Sequence, residues 1–131
     1  MSDCDFPVLN EGNIQFAGFY YLYSKSKAMH IVKVTYTVKA EYAQKNQENI
    51  GSVMNDLRKI NHAGIRYGTY LGEDGKTFMH CASFEQQEVQ QILFGLEAFK
   101  TFTQELRESG PEVPPKTEVM QLVGSSYEIF I

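Results

Sequence analysis

The stretch GIRYGTYLGEDGKTFMHCASF, residues 64 to 84, constrains the fold more than any other part of the chain. Two segments of alternating apolar and polar residues flank Asp74-Gly75, a dipeptide that tolerates the positive φ angles of a type I′ turn, so the spacing predicts a β-hairpin. A two-residue loop at this point also sets the register. Leu71 then opposes Phe78, Thr69 opposes His80, Tyr67 opposes Ala82 and Ile65 opposes Phe84, all on one face. Arg66, Gly68, Tyr70, Met79, Cys81 and Ser83 take the other face.

Residues on either side supply the remaining elements. HIVKVTYTV, 30 to 38, alternates with period two and places Val32, Val34 and Tyr36 on one face of a first strand. From about Glu41 to Asn61 the period changes to that of a helix, with Ile50, Val53, Met54, Leu57 and Ile60 in the stripe and Gly64 at the stop. Gly51 inside it marks an expected close approach of helix to sheet. After the hairpin, Ser83 and Gln86 have capping-box spacing. Val89, Ile92, Leu93, Leu96, Phe99, Phe102 and Leu106 then continue a second helix, bent at Gly95 and ending at Gly110. PEVPP, 111 to 115, reads as a loop because proline lacks the amide donor. EVMQLVGSS reads as a fourth strand and YEIFI as a tail.

The order β, α, β, β, α, β is the ferredoxin-like split βαβ arrangement, an α+β fold with four antiparallel strands in the order 4-1-3-2 and both helices on one face. The other face requires cover, and a second copy of the chain is its expected source, giving a homodimer. The domain spans 29–131. Residues 1–28 read as an aromatic-rich arm, a real extension or a consequence of the start site, because Met29 directly precedes the first strand.

One core fits in 131 residues with 43% hydrophobic content. The net charge of -4 opposes binding to phosphate backbones or anionic membrane surfaces, so neither nucleic acid nor membrane is an expected partner. Asp3 and Asp5 replace a basic leader region, and FAGFYYLY, 16 to 23, is far below the roughly 20 residues that span a bilayer. Cys4 and Cys81 form no disulfide framework, which points to a reducing, cytoplasmic location.

Several chemistries lack their parts. GEDGKT imitates a phosphate loop, but Tyr70 stands where that motif needs glycine and a strand follows the lysine. No CxxC, HExxH, nucleophile-elbow or dinucleotide glycine pattern occurs, so no metal and no cofactor is expected. The RNA-recognition strand pattern, aligned from Lys76, fails at its second, fourth, fifth and last positions.

His80 remains the one group with latent chemistry. It shares its face with Tyr67, Thr69, Phe78 and Phe84, a set suited to a partly aromatic pocket in which an imidazole donates, accepts or takes a proton. These five residues are the candidate ligand-binding set, with His80 and Tyr67 the catalytic candidates. The competing reading is a core histidine bonded to a neighbouring hydroxyl. Side-chain size places this face away from the helices, with small Gly68, Cys81 and Ser83 beneath them. His62 is expected to meet the last carbonyls of the first helix. Arg66 is expected to reach a ligand or a surface acid, and Cys81 to be a small buried thiol.

MHIVKVTYTV, IRYGTY…DGKTFMHCASF and LEAFKTFTQEL together resemble the antibiotic-biosynthesis-monooxygenase-like group of the dimeric α+β barrel superfamily, over about residues 29 to 125. The resemblance implies homodimers whose sheets face each other and pockets between sheet and helices. It also implies small, apolar or aromatic ligands, with cofactor-free oxidation of phenols or quinols in some members and heme degradation in others. The chain departs from the active members in having no tryptophan, and Glu85 to Glu108 lacks the helix-borne histidine that binds heme. A non-catalytic ligand-binding, sensing or structural domain is the alternative.

Overall fold

A computed structural model describes residues 29–130; the expected arm at 1–28 lies outside them. Strand β1 (His30–Thr37) is followed by a 3-10 turn (Ala40–Tyr42) and helix α1 (Ala43–Ile60). Strands β2 (Ile65–Leu71) and β3 (Thr77–Phe84) form the hairpin. A 3-10 turn (Gln87–Val89), helix α2 (Gln90–Phe94), helix α3 (Glu97–Ser109) and strand β4 (Val113–Met120) complete the order. The antiparallel sheet runs β2-β3-β1-β4, the expected ferredoxin-like topology.

The hairpin register is the one read from the sequence, with Ile65, Tyr67, Thr69 and Leu71 opposite Phe84, Ala82, His80 and Phe78. Its loop differs. Gly75 N–H donates to the Gly72 carbonyl, and only Gly75 (φ 75°) adopts a positive φ there, whereas a type I′ turn needs two such residues. The Asp74 carboxylate accepts from the backbone N–H groups of Lys76 and Thr77 and from the Thr77 hydroxyl, which ties the loop down and lowers the Asp74 pKa.

One face of the sheet carries the core. Tyr36, Phe78, Ala82 and Phe84 pack with Val53 of α1, Leu93 of α2, and Phe102 and Leu106 of α3. Each fully buried ring of this kind contributes roughly 1.5–3 kcal/mol. Alternation therefore turns Val32, Val34 and Tyr36 of β1 toward the helices, together with Phe78, His80 and Ala82. The face assignment expected from side-chain size is reversed: His80 lies beneath the helices with its ring 5.3 Å from that of Phe102, and Gly68, Cys81 and Ser83 lie on the far side. Gly68 is small for a different reason. A Cβ there would sit 3.1 Å from the Tyr70 hydroxyl, so the gap accommodates a neighbour on the same strand.

The second helix does not bend at Gly95 but breaks, because Leu96 is extended (ψ 133°) and starts a new helix. Ser83 stays in β3, buried, and caps nothing; Gln86 occupies the N-cap without a side-chain bond. α1 ends on Asn61 in the left-handed conformation, three residues before Gly64. Gly51 is exposed, with open space where a Cβ would be, so it marks no close approach. Ile60 is exposed rather than in the stripe.

β4 begins inside the expected proline loop. Thr35 pairs with Lys116 and Thr37 with Val113, so Pro114 and Pro115 together oppose the single residue Tyr36 in a bulge. An edge strand tolerates prolines because amide groups facing outward have no ladder partner to lose. The tail after Met120 has no regular structure, although strand was expected to residue 126. It returns to β2, where Arg66 donates from Nε to the Ile129 carbonyl (3.1 Å) and lies 5.7 Å from the Phe130 ring centre. Arg66 thus holds the tail and pairs with no surface acid among the described residues. The helix-free face is mixed, since Lys33 and Lys116 both pair with Glu118 across it.

Candidate functional site

Four elements bring polar side chains together under the helices. β3 presents His80, β2 presents Tyr67 and Thr69, β1 presents Tyr36, and α1 presents Asn46. The cross-strand register makes Thr69 and Val34 the direct neighbours of His80. Asn46 precedes Ile50 by one helical turn and therefore falls on the buried stripe of α1.

The groups form one hydrogen-bonded chain. Asn46 Nδ2 donates to Tyr36 Oη at 2.9 Å, and Tyr36 Oη lies 2.7 Å from His80 Nε2. On the other side of the ring, His80 Nδ1 lies 2.7 Å from Tyr67 Oη and 3.2 Å from Thr69 Oγ1. Both imidazole nitrogens are therefore partnered, as burial demands. His80 is 4% exposed and Asn46 0%, whereas Tyr67 and Thr69 are half-buried. The chain thus has an inner end at Asn46 and an outer end on β2.

Aromatic rings enclose it. The His80 ring lies 5.3 Å from Tyr36, 5.8 Å from Tyr67 and 5.3 Å from Phe102, and Phe78 stacks on Tyr36 at 5.6 Å. This environment keeps every member neutral. Burial lowers the His80 pKa to about 4, and no charged neighbour opposes the shift. Burial also raises the Tyr67 and Tyr36 hydroxyls well above the ordinary tyrosine value; hydrogen bonds from Thr69 and Asn46 respectively offset only part of this. Such a chain exchanges hydrogen bonds with a neutral polar group readily. It accommodates an isolated charge poorly.

Of the five candidate ligand-binding residues, Tyr67, Thr69 and His80 are joined directly. Phe78 belongs to the same cluster through Tyr36, and Phe84 lies further along β3, buried and 6.5 Å from the His30 ring. Tyr36 and Asn46 complete the chain without having been singled out in the sequence. The signal for Asn46 was a polar residue on the apolar stripe, at the spacing of Asn46, Ile50, Val53 and Leu57.

The other polar residues stand apart. His62 Nδ1 accepts from the Gly64 N–H at 2.9 Å instead of meeting helix carbonyls. Cys81 is half-buried on the opposite face. An open cleft of about 520 Å³ beside the tail is lined by Met29, Glu85, Leu122, Tyr127 and Phe130, and by none of the five candidates. Among the described residues, no cluster of three or more His, Cys, Asp or Glu is arranged to hold a metal, and no helix is long and apolar enough to cross a membrane.

No family model and no curated protein matches the chain. Solved structures do. A putative antibiotic biosynthesis monooxygenase from Nitrosomonas europaea is similar at a TM-score of 0.61 and 15% identity, covering 74% of this chain and 92% of its own. Rv0793 from Mycobacterium tuberculosis matches at 0.64 and 12%, covering 76% and 100%. SnoaB from Streptomyces nogalater, described as a cofactor-independent oxygenase, matches at 0.59 and 10%, covering 76% and 98%. At these identities the likeness shows the fold: the chain has the ferredoxin-like architecture of antibiotic-biosynthesis-monooxygenase-like structures.

Proposed function

We propose that the protein is a cytoplasmic homodimer that binds a small, mainly apolar or aromatic molecule between sheet and helices, at the Tyr67–Thr69 end of the hydrogen-bonded chain. The observation that carries this reading is a set of neutral polar groups threaded through an aromatic core and reaching the half-buried edge at Tyr67 and Thr69. A purely apolar core would pack without having to pair such groups, each of which costs about 1–3 kcal/mol if left unpaired. Ligand pockets, in contrast, combine apolar walls with a few placed polar groups. Phe78, His80 and Phe84 supply wall and backing in this reading, and Tyr67 and Thr69 supply the contact.

Binding is favoured over acid–base catalysis. A histidine whose pKa is held near 4 takes a proton at neutral pH only if a substrate anion forms beside it. Cofactor-free oxygenation of a phenol or quinol is the catalytic extension of the same site, supported by the fold shared with a cofactor-independent oxygenase. Self-association is supported by apolar residues left open at the β4 edge and tail: Val119 is 72% exposed, and Met120, Leu122 and Val123 are exposed beside it.

Mass spectrometry of the natively purified protein tests the binding reading by detecting a retained aromatic molecule. Oxygen uptake with a quinol panel separates catalysis from binding. Sedimentation equilibrium should give twice the 15.0 kDa chain mass at micromolar concentration, and a stable monomer would remove the homodimer.

A further inference from the structure

Asn46 is fully buried, and its two amide atoms differ: Nδ2 donates to Tyr36 Oη, whereas Oδ1 has no partner. This orientation sets the direction of every bond beyond it. Tyr36 Oη already accepts the amide proton, so its own O–H needs an acceptor, and His80 Nε2 is 2.7 Å away. Nε2 must then be bare, because a neutral imidazole carries one ring proton. That proton sits on Nδ1 and is donated to Tyr67 Oη at 2.7 Å, with Thr69 Oγ1 the longer alternative at 3.2 Å. The Tyr67 O–H is thereby freed from His80.

Turning the amide over would reverse the chain. Oδ1 would accept from Tyr36, Nε2 would carry the ring proton, and Tyr67 would spend its O–H on Nδ1. As placed, the buried amide leaves Oδ1 and one Nδ2 proton without a partner, whereas the reversed arrangement leaves both Nδ2 protons without one. Buried orphan donors are rarer in proteins than under-satisfied carbonyl oxygens.

We infer that Asn46 is a positioning residue: by donating to Tyr36 it fixes His80 as the Nδ1–H tautomer and leaves the outer hydroxyl of Tyr67 as a donor toward the ligand. This rests on the ligand site proposed above and sharpens it. The ligand must offer an acceptor, such as the carbonyl of a quinone or an aromatic ketone, at the β2 end of the chain.

Long-range ¹H–¹⁵N spectra of the full chain with ¹⁵N-labelled histidine read the tautomer directly, with no ligand present. Wild type should show His80 protonated on Nδ1 alone. Asn46→Leu removes the amide donor and should convert that single tautomer into a mixture of both. Asn46→Ala, which leaves room for water, gives the same reading if the leucine variant does not fold. In a Tyr36→Phe background, where the link is already cut, the Asn46 substitution should change the tautomer no further. Protonation of wild-type His80 on Nε2 would overturn the inference, as would an unchanged Nδ1–H form in a folded Asn46 variant, the outcome of a purely structural role. Titration of the same samples with a quinone separates the two claims: an Asn46-dependent tautomer without quinone binding upholds the positioning role and rejects only the ligand site.

Discussion

The two faces of one strand, β3, separate two kinds of residue. Phe78, His80 and Ala82 turn toward the helices and are buried, whereas Met79 and Cys81 turn away and remain half-exposed. On the covered side, Asn46, Tyr36, His80, Tyr67 and Thr69 are linked into one chain, and rings fill the space between sheet and helix. On the open side, Lys33, Glu118 and Lys116 pair across the surface, and Arg66 holds the tail. The difference shows that small side chains do not mark a helix-packed face here. Aromatic residues on both layers hold sheet and helices together, and Gly68 on the open face is small because the Tyr70 hydroxyl comes close to it.

Neighbouring residues on the two faces of β3 should respond very differently to substitution. His80→Phe would leave the Tyr36 hydroxyl without its acceptor and deprive Tyr67 of the ring N–H it accepts; we expect a loss of about 2–5 kcal/mol in urea denaturation. Cys81→Ser, one residue along and on the other face, should change stability by less than about 1 kcal/mol. Equal effects from the two would show that the faces are not distinct.

The pH dependence should carry the same asymmetry. His80 has a folded pKa near 4 against 6.5 for the free side chain, so between these values the unfolded chain binds a proton that the folded chain does not. The contribution is therefore fully present above pH 6.5 and is lost as pH falls toward 4, on the order of 3 kcal/mol in total. Urea midpoints measured across this window, with a folded His80→Gln variant as reference, should show the slope in wild type and a reduced slope in the variant. Equal slopes would place His80 in a solvated environment.

The legible parts of the fold were those set by local periodicity. Alternation and the turn dipeptide gave the hairpin register, and the stripes of Ile50, Val53 and Leu57 and of Phe99, Phe102 and Leu106 gave the helices. Which sheet face the helices cover was not legible, because both faces alternate with the same period and the choice depends on packing between distant elements. The proline-bearing start of β4 was obscured for a related reason: proline forbids a central strand but not an edge bulge, and edge position is a property of the whole sheet. His80, Tyr67 and Thr69 were legible as neighbours because cross-strand pairing joins them. Asn46 reaches the chain only through tertiary packing of α1, and its polarity on an apolar stripe was the sole sequence trace.

Two glycines should respond with smaller effects of opposite sign. Gly75→Ala forces a Cβ into a left-handed turn position and should cost about 1–2 kcal/mol. Gly51→Ala, in an exposed helix position with open space at the Cβ, should instead stabilise by up to about 1 kcal/mol. Thermal unfolding of the two variants checks the opposite signs.

The proposed site requires the chain of buried polar groups to end in a ligand contact at Tyr67. Calorimetric titration of wild type and Tyr67→Phe with quinones and hydroxylated polycyclic aromatics tests it most directly. Saturable binding of at least one acceptor-bearing compound is expected, weakened about tenfold by loss of the hydroxyl, while the variant keeps its fold. Equal affinities for the two proteins, or no saturable binding across the panel, would contradict it.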